Sequence, residues 1–208
     1  MSLRPIRLLI LSIAAVVLAS CALGVGTESY RLMAPEVASA DTREPGPGDR
    51  RLAISRPEAD RSRDSTRILV RRGRSLMPWA NAAWIDRAPE MLQGLLVEFL
   101  DGRVATVGRA GSLPAQHRLD LVLRRFELVE SGDELEAELV MVARLFAADG
   151  RLLDVNVVDA RTASTGGTVD DAVGAMESSI AEVFAKLAEW LEPRLDAARN
   201  ERPSHPAQ

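Results

Sequence analysis

The chain has 208 residues, 26 of them basic and 30 acidic, for a net charge of −4, with one cysteine and two histidines. That balance carries no basic excess of the kind that neutralises phosphates, so nucleic acid is not an expected partner. One cysteine excludes an intramolecular disulfide. Lys186 is the single lysine among many arginines, a bias that reads as codon composition rather than guanidinium chemistry.

Arg4 and Arg7 precede an apolar run from Leu8 to Ala19, broken only by Ser12. About a dozen apolar residues fall short of the roughly 20 that span a bilayer as a helix, and match the h-region of a signal peptide. The run closes on Leu18-Ala19-Ser20-Cys21, where small residues suit a peptidase cleft and the thiol suits diacylglyceryl transfer. This stretch resembles the lipobox of bacterial lipoproteins. Residues 1–20 therefore read as a signal peptide, with Cys21 the lipid-attachment residue. Lipidation also accounts for an odd cysteine in an exported chain. The mature chain has 188 residues and a net charge of about −6, within the usual size of one domain. Residues 21–29 form a lipidated N-terminus and short tether; Ala22 to Ser29 reach under about 30 Å.

Tyr30-Arg31-Leu32 is a strand-like patch that runs into Pro35, and the stretch from Glu36 to Arg50, with Pro45-Gly46-Pro47-Gly48, reads as a loop. Strands are expected at Leu52 to Ser55 and Thr66 to Arg72, around a charged turn from Arg56 to Asp64. Leu76 to Trp84 follows, carrying Trp79, Asn81 and Trp84 ahead of a helix. That helix spans Asp86 to Leu100: Asp86 offers a cap and Pro89 lies in the first turn. Met91, Leu92, Leu95, Leu96, Phe99 and Leu100 lay one apolar stripe along it. Asp101-Gly102 ends it, and Val104 to Val107 is a short extended piece.

Strict alternation begins after that. Leu119, Leu121 and Leu123 share a face, and Phe126 and Leu128 resume it after a slip near Arg124-Arg125 that marks a β-bulge. Ser131-Gly132-Asp133 turns into Leu135, Ala137, Leu139, Met141, Ala143 and Leu145, with a period of two. Asp149-Gly150 is a hairpin signal, and Leu153, Val155 and Val157 begin the third strand of a meander. Thr168 with Asp171 forms a capping pair for a last helix. Its stripe is Val169, Val173, Met176, Ile180, Val183, Leu187 and Leu191, and Pro193 is expected to stop it. Residues 30–193 are thus one α+β domain, an antiparallel sheet with two amphipathic helices packed on one face. Residues 194–208 read as a disordered tail.

Little reactive chemistry is present. His117 and His205 have no second His or Cys at metal-ligand spacing, and His117 reads as an edge or solvent residue. There is no Gly-x-Ser-x-Gly elbow and no Gly-Lys-Ser/Thr loop. Glu136 with Glu138, and Asp170 with Asp171, fit a solvated strand face and a helix's first turn better than acid–base catalysis. The chain is not expected to be an enzyme, to bind a metal or to need a cofactor beyond the covalent lipid on Cys21. Trp79, Asn81 and Trp84 are the candidate partner interface, since aromatics beside a loop suit contact surfaces. A tryptophan ahead of a core helix is, however, usually part of the core.

Tyr30-Arg31-Leu32 with Pro35 after the lipobox, Ile54-Arg56-Pro57, the run from Trp84 to Gln93, Leu119-Asp120-Leu121, Arg125-Phe126-Glu127 and Ala143-Arg144-Leu145 stand in an order that resembles the ABC-type transport auxiliary lipoprotein family. That family includes the lipoprotein of the paraquat-inducible Pqi system. Met77-Pro78-Trp79 departs from it, standing where many members have a tyrosine. The resemblance implies a lipid-anchored docking component on the periplasmic face of the outer membrane. Its partners would be an MCE-type substrate-binding protein, an ABC permease and an ATPase, which together move lipids between inner and outer membranes. Ala22, rather than Asp, after the cysteine fits outer-membrane sorting. An exposed sheet edge would also permit a homo-oligomer. The alternative is a structural or lipid-binding envelope lipoprotein not tied to an ABC transporter.

Overall fold

In the computed structural model, residues 26–35 and 50–200 are described. Cys21, the expected signal peptide, the segment from 36 to 49 expected to be a loop, and the last eight residues lie outside them. The strands in chain order are β1 (Glu28–Tyr30), β2 (Arg51–Ile54), β3 (Glu58–Ala59), β4 (Arg67–Arg72), β5 (Ser75–Trp84), β6 (Thr106–Arg109), β7 (His117–Ser131), β8 (Glu134–Ala147) and β9 (Leu152–Ala163). Helix α1 (Ala88–Leu100) lies between β5 and β6, and α2 (Val169–Asn200) follows β9.

The β7–β8–β9 meander is antiparallel, as its alternation implies. β7 is the hub. On one side it pairs with β8 along its whole length. On its other side it takes β2, β3 and β4 in succession, each parallel to it. β6 extends the sheet beyond β2, while β5 and then β1 extend it beyond β4. The slip at Arg124 is a register shift between Leu123 and Arg125. It lets Phe126 and Leu128 return to the face occupied by Leu119, Leu121 and Leu123, and all five are buried.

Both helices cover that face. Leu92, Leu96, Phe99 and Leu100 of α1 and Met176, Ile180, Val183, Phe184, Leu187 and Leu191 of α2 enter one core with the meander. Phe99 and Phe184 meet at 5.7 Å between ring centroids, and Gln93 Nε2 donates to the Ile54 carbonyl at 2.9 Å, tying α1 to β2. Thr168 and Asp171 form the reciprocal cap: Asp171 N–H donates to Thr168 Oγ1, and Thr168 N–H to Asp171 Oδ2, each at 3.2 Å.

Several local expectations fail, each for a physical reason. The first helix starts at Ala88 with Arg87 as cap and no side-chain hydrogen bond; Asp86 Oδ1 accepts from the Arg87 N–H instead. The segment Leu76 to Trp84, to which the sequence assigned no element, is strand despite Pro78. Proline lacks a donor and survives here because β5 is a short-partnered outer strand. Val155 and Val157 face outward, 47% and 59% exposed. A second irregularity pairs Leu145 with Asp154 but Phe146 with Leu152. The extra residue, Leu153, reverses the parity, so Val158 and Ala160 point into the core instead.

His117 is buried at the start of β7, not a solvent residue. The last helix passes Pro193 and runs to Asn200. Leu191 and Leu195 anchor it on either side, and Arg194 bonds the Trp190 carbonyl at 2.8 Å and pairs with Asp154. Burial across the proline outweighs the lost backbone bond. The folded unit therefore continues past 193, correcting the tail boundary at 194.

The opposite sheet face carries a layer of charge. Glu127 and Glu138 are directly opposed across the β7–β8 ladder and both buried, a placement that is repulsive for like charges on its own. Arginines resolve it. Arg63 pairs with Glu127, Arg71 bridges Glu127 at 2.9 Å and Glu138 at 2.7 Å, and Arg125 and Arg161 reach Glu138 at 2.6 and 2.5 Å. Burial pushes the Glu138 carboxyl up, but hydrogen bonds from Arg125, Arg161 and Arg71 outweigh it and hold the group below the usual carboxylate range.

Leu96 and Leu139 are fully buried. Leu→Ala at either should cost about 2–5 kcal/mol, measured as a lower urea midpoint at unchanged slope. Because the Glu138 pKa is depressed in the fold, its contribution is present above the ordinary carboxylate pKa and lost as pH falls through its folded value. Glu138→Gln should lower the midpoint at neutral pH and flatten the acid limb; parallel acid limbs in the two proteins would count against a stabilising role.

Candidate functional site

β4 and β5 form a hairpin whose pairing is regular near its turn, from Arg72 opposite Ser75 to Leu69 opposite Pro78. The next pair is Arg67 opposite Ala83, so Trp79, Ala80, Asn81 and Ala82 together face the single residue Ile68. The chain must bulge. Asn81 takes up the bend with φ 59, a left-handed conformation that asparagine tolerates better than most residues. Gly73, with φ 56, makes the hairpin turn itself.

Beside this bulge lies a groove of about 480 Å³. Val70, Met77, Pro78, Trp79 and Leu135 supply its apolar wall. Arg72, Glu130, Asp133 and Glu134 supply its polar rim, and Arg72 Nε donates to Glu130 at 2.7 Å. Gly132, with φ 63, turns β7 into β8 at the same end. The groove exists because β4 pairs with the last residues of β7, Arg72 lying opposite Glu130, which brings the β4–β5 and β7–β8 turns abreast.

The three candidate interface residues separate. Trp79 is half-buried against the core and lines the groove. Asn81 is exposed on the bulge. Trp84 is 2% exposed and stacks against Phe126 at 5.6 Å, so it belongs to the core and not to a contact surface. The groove's other residues carry no sequence signal of a site, since Met77 and Leu135 meet only through the pairing of distant strands. Among the described residues no group of three or more His, Cys, Asp or Glu side chains is placed to hold a metal ion, and no helix is long and apolar enough to cross a membrane.

Residues 30–188 match the family described as the ABC-type transport auxiliary lipoprotein component. The chain belongs to this family. Its members are auxiliary lipoproteins of transport, not a known family of enzymes, and no cofactor is known for them. Membership makes the auxiliary lipoprotein a membrane-anchored protein of the periplasmic side, associated with an ABC transporter.

Solved structures show the same fold. A Xanthomonas campestris protein of the DUF330 family is 24% identical, with a TM-score of 0.68 over 75% of this chain and 93% of its own. An uncharacterized protein is 14% identical, with a TM-score of 0.63 over 80% of this chain and 99% of its own. No curated protein matches the auxiliary lipoprotein in sequence.

Proposed function

We propose that the auxiliary lipoprotein is held by lipid on Cys21 at the periplasmic face of the outer membrane. There it serves as the docking component of an MCE-type system that moves lipids between inner and outer membranes. The family match over residues 30–188 is the observation that carries this reading. The Leu18-Ala19-Ser20-Cys21 site supports the anchor, and Ala22 supports outer-membrane sorting. Contact with an MCE-type partner is assigned to two surfaces. One is the Asn81 bulge. The other is the outer edge of β9, which pairs with β8 alone among the described strands and with exposed Val155 and Val157 suits strand addition by a partner or by a second copy.

Cys21→Ala should yield an unprocessed precursor or a soluble periplasmic form, whereas the parent chain should resist salt washing and need detergent. Stable anchoring takes at least two acyl chains, because one binds at only roughly 10⁴ M⁻¹. Ala22→Asp should move the protein toward inner-membrane fractions on a sucrose gradient. Photo-crosslinkers at Asn81 and Val157 should capture an MCE-type protein in cells, and deletion should raise detergent sensitivity. Capture of unrelated envelope proteins only, with unchanged detergent sensitivity, would point instead to a structural lipoprotein.

A further inference from the structure

β1 runs parallel to β5, with Glu28 beside Ala82 and Tyr30 beside Trp84. Going backward from Glu28, the chain heads past Asn81 and Ala80 toward the end of the domain where β5 begins at Ser75. The same end holds the Gly73 turn, the β7–β8 turn and the groove. Four residues lie between Cys21 and Gly26, so their Cα atoms are at most about 18 Å apart.

Strand geometry turns that reach into an orientation. Because Trp79 to Ala82 all face Ile68, the distance is counted on β4: from Ile68 to Arg72, which lies opposite Ser75, is about 13 Å at 3.3 Å per residue, within the reach of the tether. The other end is out of range. Through β4, the level of Gly26 corresponds to about Glu127 on β7, and His117 lies ten residues away, about 33 Å. A domain standing on its His117 end would need a tether almost twice as long. The groove end is therefore the end that can meet the membrane.

We propose that this end rests on the leaflet carrying the anchor, and that the groove takes the headgroup and upper chain of a zwitterionic phospholipid from it. The inference rests on the lipid anchor of the proposed function. Trp79 and Met77, the latter 39% exposed, supply an interfacial aromatic and an apolar contact at the groove wall. The rim matches a headgroup bearing both signs. Arg72, which the fold pairs with Glu130, is the rim's cation for the phosphate, and Glu130, Asp133 and Glu134 are its anions for the ammonium. An anionic headgroup without an ammonium would meet three carboxylates against one guanidinium group, and is disfavoured.

The test uses the acylated full-length mature protein, purified in detergent and reconstituted in vesicles of phosphatidylethanolamine and phosphatidylglycerol. Bromine is carried on the acyl chains of one lipid or the other. Trp84 and Trp190 are buried at 2% and 8% exposure, so bromine quenching of tryptophan emission reports Trp79. Quenching should occur and should vanish in Trp79→Phe, with folding verified by an unchanged urea midpoint. Brominated phosphatidylethanolamine should quench roughly twofold to fivefold more than brominated phosphatidylglycerol, as one or two exposed ion pairs provide.

A photoreactive phosphatidylethanolamine should label residues 70–80 and 130–135. Labelling confined to residues 109–115 or 148–151, or quenching that persists in Trp79→Phe, overturns the orientation. Equal or stronger quenching by phosphatidylglycerol overturns the headgroup assignment. A chain that quenches as expected but captures no transporter partner in cells keeps this inference and removes the transporter reading. A chain that does not sediment with vesicles removes both.

Discussion

β7 hydrogen-bonds to β8 from His117 to Ser131 on one side, and on the other to three short strands that arrive one after another. β2, β3 and β4 are four, two and six residues long, none longer than the commonest strand length of about 5–6. They persist because β7 offers a continuous row of backbone partners and one buried face beneath them. The loops between them can then carry charge freely. What the three share is direction, each running parallel to β7. That direction puts the turn after β4 at the end where β7 turns into β8, and the start of β2 at the end where β7 begins.

The layer around Glu127 and Glu138 follows from the same pairing. Opposed carboxylates in a buried ladder would repel, so the register in which they meet needs compensating cations on hand. Arg63 and Arg71 come from segments before β5, and Arg125 and Arg161 from the meander. The cluster therefore forms only when the short parallel strands and the meander are docked together. It favours one register of β7 against β8 and one placement of β4 against β7. The helix-covered face is apolar and indifferent to such detail, while the charged face supplies specificity.

The groove and the anchor belong to one arrangement. The four-residue bulge opposite Ile68 lifts Trp79 and Asn81 out of regular pairing, and β1 passes beside it on the way to the N-terminus. With the lipid anchor proposed above, a short tether reaching the groove end would tie the groove's height above a lipid surface to the tether's length. The outer edge of β9, which pairs with β8 alone among the described strands, and its exposed valines lie across the sheet from this region. A partner met at that edge and a lipid met at the groove would occupy separate surfaces of one rigid sheet.

The elements with a period of their own were legible in the residues. Leu119 to Leu128 showed its face and its slip at Arg124, Leu135 to Leu145 its uninterrupted alternation, and the helical stripes through Leu96 and Ile180 their buried sides. Thr168 with Asp171, and glycine at 132 and 150, announced a cap and two turns because each acts through atoms a few residues away. The order of residues around Trp84 to Gln93 likewise pointed to the family. Tertiary structure alone decided the rest. β5 reads as no strand until β4 lies beside it, and the bulge at Leu153 turned Val155 and Val157 outward by shifting parity once. Leu195 held the helix past Pro193. The pairing of β4 with the end of β7, which makes the groove, joins Arg72 to Glu130 across more than fifty residues. Periodicity reports which side of a segment seeks burial; it says nothing about which distant backbone lies against its edge, because that choice is made by all the faces packing at once.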